Sequence, residues 1–330
     1  MFNALLLFVD VVLRGIAQVF LCNHPLSGLF ICVGLACSSA ALLGFALLGT
    51  VCATLGAQII ARPSYESDVA SGLCGYDGAL VGCAMLAFFD DGDVPGARVG
   101  IAILLSFFSG FMHVACANMM NVFNVPAFTL SFNLITISFL LAISTNHANV
   151  LQLKAAANSS LIDLSDTQMS ITFVLESVIL GVSQFMFVDT LVGGFFVLTG
   201  ILIASRYGFC AAMLGSLLAC LFSYFVFQAS GPEELINIRM GLYGYNSAGT
   251  CAALAGHVFF EPTLGGLMVA AVGSVLCVLI LLAFQGILGA TWGLPVLTFP
   301  FICTTYLMLL TRTRWLVPIG TTAPPKPFVG

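Results

Sequence analysis

Thr129 and Thr298 sit in like phrases, VPAFTLSF and LPVLTFPF, 169 positions apart. Tyr76 and Tyr245 sit in a second pair of phrases at the same spacing, GLCGYDGAL (with Leu80) and GLYGYNSAG. Gln18 and Gln184 form a third pair, and Asn23 and Asp189 a fourth, both at a spacing of 166. These side chains offer hydroxyls, amides and one carboxylate. Phe20, Phe128, Phe132 and Phe301 lie among them and add flat apolar walls. Such a set suits the recognition and passage of a small, neutral, planar, polar solute. Aromatic walls exclude surplus water, and carbonyls, hydroxyls and amides replace the hydrogen bonds that the solute loses.

Each of these residues also has a structural reading. A threonine in an apolar helix often bonds the carbonyl four residues back. A glutamine can hold two helices together, and glycine-rich runs allow close helix packing. Recurrence at a fixed spacing favours the functional reading, because residues related by an internal axis would face one another.

The ionisable residues need separate treatment, since a charge in lipid is costly. Asp10 and Arg14 lie four apart, so that they can neutralise each other on one helix. Glu176 matches Asp10 at a spacing of 166, but Leu180 stands where a partner would be. It is either a packing anchor bonded to a neighbour or a group that shapes the pathway. His24, His113, His147 and His257 do not map onto one another across the repeat, which argues against a paired-histidine path. There is no nucleophile elbow, no HExxH and no phosphate loop. The twelve cysteines are scattered, without metal-ligand spacing. The reading is therefore a non-enzyme with no cofactor and no metal.

The elements that must position these groups follow from composition. Of 330 residues, 60% are hydrophobic and 7% are charged, against about 25% charged in an ordinary soluble domain. There is too little polar material for a water-facing surface, so the chain is read as an integral membrane protein in the lipid bilayer. The net charge of −5 comes without a basic patch, which excludes nucleic acid as a partner. Met1–Leu13 lacks a basic start and a cleavage site and is predicted to remain as the first helix.

A polar segment near the middle divides the chain. The first repeat is placed at 1–146, a polar inter-repeat loop at 147–170, the second repeat at 171–312 and a C-terminal tail at 313–330. The second apolar block of each half, Leu26–Ile60 and Leu191–Phe227, is long enough for two helices. The run Gly72–Leu80 is a poor candidate for a regular span, because glycines and Asp77 interrupt it. The predicted fold is an all-α polytopic membrane protein. Each half has about five transmembrane helices plus one half-membrane tilted helix. An odd number of spans per half makes the repeats inverted, around a central pore. Both termini then share one side of the cell membrane, predicted to be cytoplasmic from Arg312, Arg314 and Lys326.

The residues also resemble a known family. QVFLCNHPLSGLFI (from Gln18), GLCGYDGALVG (from Gly72), VPAFTLSFN (from Val125) and WGLPVLTFPF (from Trp292) are similar to the signatures of the urea transporter family. The resemblance covers nearly the whole chain, from about Val11 to Leu310. It implies a homotrimer in which each subunit has its own pore and conducts urea passively. Gln18 and Gln184 would flank the outer and inner sites, Thr129 and Thr298 the narrow centre, and Tyr76, Leu80 and Tyr245 the slots. Several positions depart from the family pattern: His24, Asp189-Thr190-Leu191, Asp77, Ser131 opposite Pro300, and Gly249 opposite Leu80. The rival readings are a channel for ammonia, short amides or water, an ion- or proton-coupled transporter using Glu176, Asp77 or Asp189, and a membrane scaffold with a degenerate pore.

Overall fold

The computed structural model describes residues 2–60, 65–91, 95–145, 152–153 and 168–320. The first half contributes α1 (Phe2–Gln18), α2 (Pro25–Ser38), α3 (Ala40–Ile60), α4 (Glu66–Ala70), α5 (Tyr76–Phe88), α6 (Ala97–Asn121) and α7 (Leu130–Thr145). The second contributes α8 (Ile171–Ser183), α9 (Leu191–Ala204), α10 (Arg206–Phe227), α11 (Pro232–Arg239) and α12 (Tyr245–Ala255). It continues with α13 (Leu264–Phe284), α14 (Ala290–Trp292) and α15 (Phe299–Leu310). A 3-10 turn, Gln184–Met186, extends α8, and a π turn, Gln285–Gly289, joins α13 to α14.

The elements of the two halves recur in order. Each long apolar block divides at one serine. Ser39 leaves the helical conformation between α2 and α3, and Ser205 does so between α9 and α10, where its hydroxyl accepts Gly208 N–H at 2.9 Å. Serine suits both roles, since its short side chain caps a helix start. The N-terminus of α2 begins at Pro25, whose missing N–H costs nothing there. His24 caps it, its Nδ1 accepting Ser27 N–H at 3.4 Å. Thr190 does the same for α9 through Gly193 N–H at 3.2 Å. This capping accounts for two of the departures, at His24 and Thr190.

Positive backbone φ angles recur as well. Leu21 (59°) matches Phe187 (62°), Gly72 (79°) matches Gly241 (77°), Asn124 (56°) matches Gly293 (64°), and Phe128 (46°) matches Leu297 (50°). Such angles are unusual for residues other than glycine, so four matched pairs mark the same chain path followed twice. Two matched pairs also touch. The rings of Phe30 on α2 and Phe196 on α9 lie 6.3 Å apart, and α2 packs along α9. Thr129 and Thr298 meet where α7 approaches α15.

Among the described residues, four helical stretches are long and apolar enough to cross a membrane alone: Ala40–Ile60, Ala97–Asn121, Arg206–Phe227 and Leu264–Trp292. Ile171–Met186 and Leu191–Ala204 form a pair bent by 74°. Pro25–Ser38, Tyr76–Phe88, Leu130–Thr145 and Phe299–Leu310 are shorter apolar helices. The apolar segments thus follow the expected order, but serine breaks and positive-φ turns leave many of them shorter than the roughly 20 residues of a full span.

Two local differences from the sequence reading stand out. The irregular part of Gly72–Leu80 is confined to the turn before α5, and the chain is regular helix from Tyr76. The beginning of the expected tail is tied down. Glu261 N–H donates to Val317 O at 2.7 Å, Ile319 N–H donates to Phe259 O at 3.1 Å, and Leu316 is buried. The expected polar loop lies mostly outside the described residues. Within it, β2 (Gln152–Leu153) pairs antiparallel with β1 (Phe89–Asp90), just after α5. Lys326 also lies outside the described residues.

Candidate solute pathway

The paired glycine phrases bring a turn against the first helix of each half. A Cβ on Gly72 would stand 2.4 Å from Gly15 N, and one on Gly241 2.2 Å from Gly181 N. With φ near +80° as well, only glycine fits. The helix ends are then stitched to these turns. Gln18 Nε2 donates to Ser71 O at 3.1 Å, and Gln184 Nε2 donates to Met240 O at 3.3 Å. The tyrosines that open α5 and α12 reach the other repeated turn. Tyr76 donates its hydroxyl to Phe128 O at 2.5 Å, and Tyr245 donates to Leu297 O at 2.7 Å. Both acceptors belong to positive-φ residues, so each tyrosine holds a strained turn in place.

At the centre, Thr129 Oγ1 and Thr298 Oγ1 are 2.7 Å apart and both residues are buried. Asn133 clamps the pair. Its Nδ2 donates to Thr298 Oγ1 at 2.6 Å and to Thr129 O at 2.7 Å, while its Oδ1 accepts Thr298 N–H at 3.0 Å. A cavity of about 400 Å³ reaches this centre from one side. Its lining includes Gln18, Phe20, Asn23, Tyr76, His113, Phe128, Thr129, Phe185, Gly249, Phe259 and Phe301. Phenyl rings form a continuous wall. Phe20 lies 6.0 Å from Phe185, Phe185 5.5 Å from Phe301, Phe301 5.2 Å from Phe128, and Phe128 5.8 Å from Phe259. Asp68, Ala117, Pro126, Ala127 and Phe259 are shared with a second cavity of about 650 Å³. Asn118, Asn121 and Asn124 give that outer cavity a polar rim.

Of the residues expected on the pathway, Gln18, Phe20, Asn23, Tyr76, Phe128 and Thr129 line the inner cavity together. Gln184, Thr298, Tyr245 and Leu80 line neither cavity. The first three are held by the bonds above, and Leu80 is fully buried. Asp189 is turned away, because its Oδ1 accepts Ser38 Oγ–H at 3.0 Å at the end of α2. Glu176 is also away from both cavities, paired with Arg239 of α11, whose Nε donates to Glu176 Oε2 at 2.5 Å. Asp10 keeps Arg14, 2.6 Å away, as the sequence spacing indicated. Each acid therefore has an arginine, taken from its own helix in one half and from a neighbouring helix in the other.

The sequence reading missed Asn133, Phe185 and the pairing of His113 with Asp77. Asn133 gives no repeat signal, since its counterpart at a spacing of 169 is Ile302. Phe185 answers the departure at Gly249: a Cβ there would stand 2.5 Å from the Phe185 ring. The first half instead has Val19 and Leu80 at the matching positions, so bulk moves from one residue to the other.

Comparison with known proteins identifies the family. The sequence profile of the family described as urea transporter matches residues 9–313. Urea transporter 1 of Ovis aries is 32% identical over 314 residues, covering 93% of this chain and 78% of the relative. Urea transporter 1 of Mus musculus is 30% identical over 311 residues, with the same shares covered. A helical, multi-pass membrane fold, a duplicated chain path, a phenyl-walled cavity ending on a threonine pair and these matches together place the chain in the urea transporter family.

Proposed function

We propose that this chain conducts urea passively through the path that begins in the asparagine-rimmed cavity and crosses the membrane at Thr129 and Thr298. The observation that carries this reading is the inner cavity. Its wall is a run of phenyl rings packed edge to face, and Gln18, Asn23, His113 and Thr129 line the same space. Urea is planar and neutral, with four N–H donors and one carbonyl acceptor. Gln18, the backbone carbonyls near Phe128 and the threonine hydroxyls can exchange hydrogen bonds with it as water is stripped away. Gln184, Tyr245, Thr298 and Leu80 would take the equivalent parts on the far side.

The same reading assigns residues 1–146 and 171–312 to two inverted repeats in the bilayer of the cell membrane, with 147–170 as their connection. The chain would assemble as a homotrimer, with both termini on the cytoplasmic side.

Stopped-flow light scattering on proteoliposomes tests the proposal. Urea entry is expected to be fast without an ion gradient and slowed by dimethylurea. Entry no faster than into empty liposomes would overturn it, as would dependence on a proton or sodium gradient. Equal passage of ammonia or glycerol would replace urea selectivity with a general neutral-solute pore.

A further inference from the structure

The two halves differ at one buried pair beside the cavity. Asp77, in the first turn of α5, is fully sealed, and its Oδ1 accepts Phe132 N–H at 3.3 Å. Its Oδ2 lies 2.9 Å from His113 Nδ1 on α6. The second half has Asn246 and Leu282 at the matching positions. Asn246 Oδ1 accepts Phe301 N–H at 3.1 Å in the same way. The first half has therefore replaced an amide and an aliphatic side chain with a carboxyl and an imidazole. His113 lines the cavity, and 10% of its side chain is exposed there.

We propose that His113 is a solute-recognition residue that presents an Nε2–H donor to the carbonyl oxygen of the solute, and that Asp77 is its positioning residue. This rests on the urea reading above. A sealed carboxylate needs a compensating proton. The Asp77–His113 pair is electrically neutral whether that proton sits on Oδ2 or on Nδ1, and in both arrangements the second ring nitrogen carries a hydrogen. The ring edge stacks against Tyr76, with centroids 5.3 Å apart, which fixes its direction.

The cavity needs such a donor. Gln18 donates its amide to Ser71, Tyr76 donates its hydroxyl to Phe128, and Thr129 is engaged with Thr298. Acceptors for the four N–H groups of urea are plentiful, while donors for its one oxygen are few: besides His113, the lining offers the second N–H of Gln18 and the amide of exposed Asn23, whose Oδ1 accepts from Arg14 at 2.8 Å. Loss of the shared proton in alkali turns Nε2 into an acceptor and leaves a net charge beside the path. The titratable groups around the pair are Tyr76 and Cys74 on and before α5, Cys116 on α6, Tyr306 on α15 and Asp68 across the cavity. Of the other helices packed on α5 and α6, α1 carries Asp10 and Arg14, which are bonded to each other, α3 carries only the thiol of Cys52 and α7 carries no titratable group.

The test compares urea and thiourea entry into proteoliposomes across an acid-to-alkaline series, with nitrogen NMR of labelled histidine. In the wild type, Nε2 is expected to be protonated where urea entry is fast, and entry to slow in alkali. His113→Leu is expected to lower urea entry about tenfold, the scale of one hydrogen bond. Thiourea, a weaker acceptor, should lose less, and His113→Gln should recover part of the urea rate. If His113→Leu does not fold, Asp77→Asn with His113→Leu, which copies the second half, carries the same expectation. Asp77→Asn alone should abolish the alkaline loss.

Equal losses for urea and thiourea, an unprotonated Nε2 in the conducting wild type, or an unchanged urea rate in the leucine variants would overturn the inference while leaving the urea channel standing. A wild type no faster than empty liposomes would overturn both.

Discussion

Thr129 and Thr298 hold each other's hydroxyls, so neither oxygen is fully free for a solute until that bond exchanges. Replacing both with valine keeps the shape and removes the exchange. Urea entry is expected to fall about tenfold, with folded yield retained and the melting temperature in detergent modestly lowered, because buried Asn133 Nδ2 loses one acceptor. Unchanged entry would remove the threonines from the pathway. Gly249 gives a second expectation at this scale. Gly249→Ala places a methyl against the Phe185 ring and should narrow the inner cavity, lowering urea entry. Adding Phe185→Val, which copies Val19 of the first half, should restore part of the rate, and failure to do so would mean that the two residues do not share one space. The paired residues were legible in the sequence because they repeat. Asn133 and His113 were not, because their counterparts, Ile302 and Leu282, are aliphatic and break the pattern. Glu176 looked unpartnered because Arg239 lies 63 positions away and reaches it only through packing of α11 on α8.

At the scale of elements, the turn before α5 depends on Gly72. A Cβ there clashes with the α1 backbone and also forces an L residue into a left-handed conformation. Gly96 shares that conformation, φ +80°, but has open space around it. Gly96→Ala should therefore cost only the conformational part, about 1 kcal/mol. Gly72→Ala should sharply reduce the folded yield, and Gly241→Ala should do the same. Size-exclusion profiles and thermal melts in detergent compare them, and equal behaviour of Gly72→Ala and Gly96→Ala would refute the close approach of α1. The helix count was partly legible. Long apolar blocks showed where chain must cross, and the divided second blocks were expected from length. Where each block breaks was not legible, because Ser39 and Ser205 are single residues within apolar runs and carry no strong turn signal.

For the whole molecule, an inverted arrangement places the starts of matched helices on opposite sides of the membrane. Gly96 and Pro262 stand on exposed turns that lead into α6 and α13, the matched long helices. In a background without the exposed Cys37 and Cys210, an impermeant maleimide should label Gly96→Cys from one side and Pro262→Cys from the other. Labelling from the same side would rule out inversion. The duplication itself was legible from spacing alone. The asymmetry between the halves was not, since only packing shows that the inner cavity reaches Thr129 while Thr298 lies beyond it.

The Asn133 clamp has a consequence for kinetics. Alternating-access carriers work by rocking one repeat against the other about a central site. Here α7 of one repeat grips the N–H and hydroxyl of Thr298 in the other, at the point about which such rocking would turn. Each cycle of that motion would have to tear the clamp and leave buried polar groups bare. A static sieve avoids this cost. Its throughput should rise only gently on warming, as diffusion through a fixed opening does, and should show none of the steep thermal acceleration of a machine that rebuilds its centre at every turnover.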